Sequence, residues 1–360
     1  MLKRFTMLCF IVLLISISTN AQKLGEPTLI PQPATEKQDL LIKQGIQLHE
    51  LKQFDEAIKK YEEVLAENPN CDIAYYEIAY AYYAKNDLKK ALEYGFKAAQ
   101  YKSKGLPLFY TLIGNALDDL AEPNKAIEVY QTAIKKFPNE PKLYFNLGLT
   151  YTRQKQYKEA RETLKKAIVI DPGYASPHFL IAEVFYGTSY RIPALLAASR
   201  LITIEFNTAR TKRALAIVQD VIKGGMKQGD KPNEFQITLN WNAPKDEGDF
   251  GGIELLMGLR GMSKVSKDKD EGKPKTEEEL FVEQITSAFV WFETDDKNKS
   301  TFVAQNYYPF FAELKKRGYM KCFAYLLLQQ GGNEKAAEWM QINKEQTLEF
   351  LNWAKDFRLK

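Results

Sequence analysis

The chain has 360 residues, 45% of them apolar and 27% charged, and a formal net charge of +4. Such proportions describe a globular protein long enough for two domains of ordinary size, and they exclude a disordered or fibrous chain. From residue 22 onward, without Lys3 and Arg4, the charge is +2, too near neutral for a binder of nucleic acid or of an anionic membrane.

Residues 1–21 place Lys3 and Arg4 before an apolar run, Met7 to Ile17, and close on Thr19-Asn20-Ala21, where a signal peptidase would cut. An apolar run of about a dozen residues is short of the ~20 that a spanning helix requires. The expectation is a signal peptide cleaved between Ala21 and Gln22, giving a periplasmic or secreted protein. Cys9 lies inside the run rather than after it, so the arrangement that accepts a lipid is missing and no stable membrane insertion is expected. A flexible segment, 22–37, follows. Past the signal peptide only Cys71 and Cys322 remain, too few for a disulfide framework, and His49 and His178 leave little for imidazole chemistry.

A repeat begins near residue 38. Small residues stand at Gly45, Ala79, Gly114, Gly148 and Ala182, spaced by 34, 35, 34 and 34 residues. Ala57, Ala91, Ala126, Ala160 and Ala194 form a second series in phase, always twelve residues later. Bulky residues flank each member of the first series, at −4 (Leu41, Tyr75, Tyr110, Tyr144, His178) and at +3 (Leu48, Tyr82, Leu117, Tyr151, Phe185). Those offsets share one helical face, with the small residue where a neighbouring helix must approach closely. Each unit therefore reads as two helices of about a dozen residues crossing at the Gly/Ala positions. Pro69, Pro138 and Pro172 stop the second helix of three units, and Ser103 and Phe206 stand at that place in the others. Arg210 to Lys223, with Leu215, Ile217, Val218 and Ile222, reads as a capping helix.

The run YFNLGLTYTRQKQYKEARETLKKAIVIDP, Tyr144 to Pro172, resembles the tetratricopeptide repeat family, and the likeness extends over roughly residues 38–206. The resemblance implies an all-α fold, a right-handed α-α superhelix of about five units with its capping helix, spanning 38–226. It also implies that first helices line a concave groove for a protein or peptide partner. The stripe facing that groove would be Ile73, Tyr76, Tyr80 and Tyr83 in unit two. In unit three it would be Leu108, Thr111, Asn115 and Asp118, and in unit four Lys142, Phe145, Leu149 and Thr152. Tyr76, Tyr80, Tyr83, Asn115, Asp118, Phe145 and Thr152 are thus the candidate partner-binding residues. Some family members clamp a C-terminal carboxylate with two asparagines and several basic residues. Asn115 and Asn146 resemble the asparagine pair, but Thr111, Ser176 and Leu180 stand where the basic residues belong, which argues against that clamp.

Beyond Lys223 the pattern changes. A Gly/Lys-rich turn, Gly224 to Lys231, leads to Phe235, Ile237, Leu239 and Trp241 alternating with polar residues, a strand signal with no evident partner strand. Asp246, Glu247 and Asp249 read as turn and capping chemistry, because the glycine and carboxylate spacing of a calcium loop is missing. Ser263 to Lys275 reads as a mobile charged loop, and Thr276 with Glu279 as the capping box of a helix to about Glu293. An aromatic stretch from Phe302 to Tyr325 reads as core, Pro309 as a first-turn proline, Gly331-Gly332 as a helix stop, and Asn343 with Gln346 as the last cap. Residues 227–360 are therefore expected to form a small, mainly helical second domain.

The chain contains no nucleophile elbow, Walker loop, dinucleotide fingerprint, paired-cysteine zinc site or metalloprotease helix. The reading is an exported, non-enzymatic adaptor, scaffold or assembly factor that needs no cofactor or metal. The alternative gives the C-terminal region an activity on glycan or peptide, using carboxylates from Asp246, Glu247, Asp249, Asp295 and Asp296.

Overall fold

The computed structural model describes residues 24–222, 226–228, 235–237, 245–263 and 275–358. The signal-peptide reading at 1–21 and the charged run 264–274 lie outside them. The described fold is all-α apart from one short strand pair. It divides into two compact units, the first ending at Ala116 and the second beginning at Leu117.

The first unit holds α1 (Glu36–Glu50), α2 (Phe54–Glu67), α3 (Asp72–Ala84), α4 (Leu88–Ala98) and most of α5 (Leu106–Asp119). Thr35 and Gln38 close a capping box on α1, and Asp87 caps α4. The small residues lie at the crossings, as their spacing requires. A Cβ built on Gly45 would overlap the Tyr61 ring, so only glycine lets α1 and α2 close. Within 22–37, expected flexible, the described residues from Thr28 onward make backbone hydrogen bonds to the helices. Thr28 and Leu29 donate backbone bonds to the Gln100 carbonyl, Lys102 donates to that of Leu29, and the Asn68 amide reaches the Gln32 carbonyl. The segment has no hydrophobic period because it is held through its backbone.

The second unit continues with α6 (Pro123–Lys136), α7 (Pro141–Arg153), α8 (Tyr157–Ile170), α9 (Ala175–Gly187), α10 (Arg191–Ile204) and the capping helix α11 (Ala209–Ile222). Strands β1 (Met226–Gln228) and β2 (Phe235–Ile237) pair antiparallel. The strand expected from residue 235 thus has its partner inside the segment read as a turn, and residues 238–241 lie outside the described ones. Then come α12 (Gly251–Ser263), α13 (Glu277–Val290), α14 (Phe302–Asn306), α15 (Tyr308–Lys316), α16 (Met320–Gln330), α17 (Glu334–Ile342) and α18 (Lys344–Asp356). The Thr276–Glu279 capping box forms, Pro309 sits in the first turn of α15, and Gly332 follows α16 at φ +83°. Asn343 precedes α18, but its side chain donates back to the Trp339 carbonyl instead of capping it.

A further series marks the repeat. Lys52, Asn86, Ala121, Lys155 and Ser189 all have φ between 58° and 68° and turn the chain between the two helices of each pair. Each lies seven residues after a member of the Gly45 series. Left-handed backbone is unfavourable for non-glycine residues, so each of these turns carries a small strain offset by the packing around it.

The core of the second unit does not part at residue 226. One cluster includes Leu164, Ile181 and Phe185 from the repeats, Val218 from α11, and Phe289, Tyr307, Phe311, Phe323 and Phe350 from the C-terminal helices. The cause is α10, buried at every residue from Ile192 to Thr203, which packs on α9, α11 and α18. A helix that is apolar all round needs neighbours on every side.

Two side chains show how the last repeat meets those helices. The Tyr75 hydroxyl donates to the Pro69 carbonyl at 3.2 Å and that of Tyr144 to Pro138 at 3.0 Å. His178 takes the same place, its Nε2 lying 3.1 Å from the Pro172 carbonyl. Since a carbonyl only accepts, Nε2 carries the proton, and Nδ1 is left to accept the Tyr307 hydroxyl at 3.1 Å. Complete burial lowers the pKa of His178 to about 3, with the Arg200 charge adding to the effect, so the imidazole is neutral. Arg200 is buried too. It donates to the carbonyls of Ala354 and Phe357 at the end of α18 and lies over the Phe310 ring at 4.4 Å.

Candidate functional site

In the first unit, the face of the first helices that the internal crossings do not use carries exposed apolar groups. Ile46 on α1, Ile73 and Tyr80 on α3, and Leu108 on α5 are each 37–45% exposed. Ile46 and Tyr80 occupy equivalent places in successive repeats, as do Ile73 and Leu108. Between them runs a row of rings. Tyr80 stacks on His49 of α1, centroids 4.7 Å apart, and lies parallel to Tyr76 at 6.1 Å with planes 2° apart. Tyr76 in turn meets Phe109 of α5 at 5.2 Å. Burial holds His49 below the ordinary imidazole range and pushes the Tyr76 phenol up to about 12. Glu77, the next residue, is desolvated, and its carboxyl rises to about 7 despite the Tyr61 hydroxyl beside it. His49 and Glu77 were not among the sequence candidates. His49 stands 34 residues before Tyr83 on the same stripe, which would have found it.

Of those candidates, Tyr76, Tyr80, Tyr83 and Asn115 fall on first helices of this unit, with Tyr76, Tyr83 and Asn115 half-buried. Asp118, Phe145 and Thr152 belong to the second unit and make internal contacts there. The Asp118 side chain is only 5% exposed and receives Arg153 at 2.5 Å. Thr152 donates to the Gly148 carbonyl one turn back, and Phe145 meets Tyr174 edge-on at 5.6 Å. Asn146 likewise donates to the Lys142 carbonyl of its own helix.

The carboxylates of the C-terminal region are engaged internally. Glu247, 3% exposed, lies 2.9 Å from Arg161 Nε and 2.7 Å from Lys165 Nζ. Asp246 pairs with Arg161 at 2.8 Å and accepts the Tyr190 hydroxyl. Asp249 takes Lys245 and Lys297, which hold its pKa down at about 2. Asp295 accepts from Asn298 and from the Tyr308 hydroxyl at 2.6 Å, and Asp296 is exposed and pairs with Lys299. Two clefts of about 240 and 230 Å³ lie among the C-terminal helices, one walled by Phe289, Phe292, Tyr308 and Phe311, the other by Phe206, Leu326, Met340 and Leu351. No carboxylate lines either cleft. Among the described residues no group of three or more His, Cys, Asp or Glu is placed to hold a metal, and no helix is long and apolar enough to cross a membrane.

Comparison with known proteins gives a consistent result. A family model described as tetratricopeptide repeat matches residues 43–105 and 111–175. A TPR repeat-containing protein, MJ1428 of Methanocaldococcus jannaschii, is 30% identical over 124 residues, 34% of this chain and 22% of that protein. The general transcriptional corepressor trfA of Dictyostelium discoideum is 29% identical over 119 residues, 32% of this chain and 8% of that protein. The chain thus spans less than a quarter of either relative. Among solved structures, TTC0263, a thermophilic TPR protein of Thermus thermophilus, is 20% identical with a TM-score of 0.44, covering 51% of this chain and 99% of that one.

Proposed function

We propose that the chain, whose residues 43–105 and 111–175 match the tetratricopeptide repeat family, is an exported adaptor or assembly factor. It binds an extended peptide or a partner helix on the first-helix face of its first unit. Repeats of this family generally serve as protein interaction modules, and the row Ile46, Ile73, Tyr76, Tyr80 and Leu108 carries the assignment here. Ile46 and Tyr80, like Ile73 and Leu108, recur at repeat spacing and stand partly in solvent, with the half-buried Tyr76 between them. Such a surface suits a partner that presents side chains at regular intervals. The C-terminal helices complete the core around α10, and their paired carboxylates support a structural role over a catalytic one.

The test is affinity capture with the chain from Gln22 onward, compared with its Tyr76→Ala/Tyr80→Ala variant. The variant is expected to keep its helical content by circular dichroism and to lose the captured partner. Equal capture by both would remove the binding-face assignment. Export is tested separately by the mass of the protein recovered outside the cytoplasm, which should begin at Gln22.

A further inference from the structure

Among the tyrosines of the first unit, two already carry cations supplied by the chain itself. Lys90 lies over the Tyr82 ring at 4.8 Å and Lys97 over Tyr94 at 4.6 Å. Tyr76 and Tyr80 present parallel rings, and none of the described lysines or arginines lies over either. Glu77 lies on the same helix, next to Tyr76 and one turn before Tyr80. Among the described residues it has no ion pair, and only the Tyr61 hydroxyl lies near enough to act against its desolvation. Ile46, Ile73 and Leu108 offer aliphatic surface on either side.

We propose that this row receives a lysine or arginine side chain from an extended partner segment, the cation lying on Tyr80 and Tyr76 with Glu77 as its counter-ion. Charge complementarity selects the occupant. Ring faces attract a cation, and more strongly where water is displaced, while the methylene stem covers the neighbouring aliphatic groups. A desolvated carboxyl lacking a cation is costly in its charged form, and an incoming ammonium or guanidinium removes that cost, which a neutral or acidic side chain cannot do. A partner with acidic residues at this point is excluded by the same carboxyl. The inference rests on the reading that the first-helix face binds a peptide, and it specifies what that peptide carries.

The probe is a random seven-residue peptide library selected on the full chain from Gln22 onward. Selected peptides should carry Arg or Lys at one aligned position, and their binding should depend on Tyr80. For one such peptide, replacing its arginine by neutral citrulline should weaken binding about tenfold, a typical worth of a desolvated cation–π contact with its counter-ion. Glu77→Gln should weaken binding to the arginine peptide similarly, and the two changes together should cost little more than either one. Thermal melting of Glu77→Gln checks that the fold persists. Peptides that depend on Tyr80 but carry no aligned basic residue would overturn this inference and leave the binding face standing. Peptides indifferent to Tyr80→Ala would overturn both.

Discussion

The repeats and the helices after residue 245 are held together by different means, and the contrast decides which parts of the molecule can be reasoned out from neighbours in sequence. In the earlier repeats, contacts such as Gly45 against Tyr61 or Tyr144 against the Pro138 carbonyl are made within a unit or to the next one. The C-terminal helices are held across long separations. Arg161 reaches Glu247, His178 meets Tyr307, and Arg200 binds the end of α18 at Ala354. A repeating array tolerates a local fault because each unit leans only on its neighbours. A single core with buried ionic contacts does not.

The largest effect should therefore come from the long-range contacts. Arg161→Met leaves Glu247 buried with only Lys165, and a loss of roughly 3 kcal/mol is expected in urea unfolding, since breaking one partner of a buried pair strands the other charge. Adding Glu247→Gln should recover part of it. A loss below about 1 kcal/mol would mean that the 245–250 loop does not hold the core.

Acid should then separate the two units. The folded pKa of His178, about 3, lies below its unfolded value, so between pH 6.5 and 3 the unfolded chain takes up a proton that the folded one refuses. Stability of the second unit falls as pH drops through that window, by about 2 kcal/mol from pH 7 to pH 5. Glu77 has the opposite sign. Its folded pKa, about 7, lies above the unfolded carboxyl value, so the first unit gains stability as pH falls from 8 towards 5. Amide hydrogen exchange, corrected for intrinsic rates, should show α9 loosening and α3 tightening over that range, with the α9 response flattened by His178→Gln. Parallel responses in both helices would contradict these assignments.

Within the repeats the effects are smaller. Gly45→Ala drives a methyl into the Tyr61 ring and should cost about 2 kcal/mol, the usual range for overpacking. Ala121→Gly relieves a left-handed residue and should stabilise by about 0.5–1 kcal/mol, raising the melting temperature slightly.

The repeat architecture was legible because spacing alone carries it. The turn series was not, since Lys52, Asn86, Ala121, Lys155 and Ser189 share a backbone angle and no side-chain property. The shared core was missed although its sign was present. The run from Ile192 to Thr203 offers no consistent polar face, which means burial on every side, but nothing local says by what. Of the candidate face, period placed Tyr76 and Tyr80 on the outer stripe. It placed Asp118 there equally, but could not show that this carboxylate pairs with an arginine 35 residues on. Glu77 lies off the stripe, and its importance comes from desolvation by three-dimensional neighbours.

The central claim is that the first unit binds its partner through the face carrying Tyr80. A photo-crosslinking residue placed at Ile73, at Tyr80, or at Lys59 on the exposed side of α2 tests it in cells that produce the chain. The account predicts the same crosslinked species from positions 73 and 80 and none from 59. A species obtained from 59 alone, or equally from all three, would contradict it.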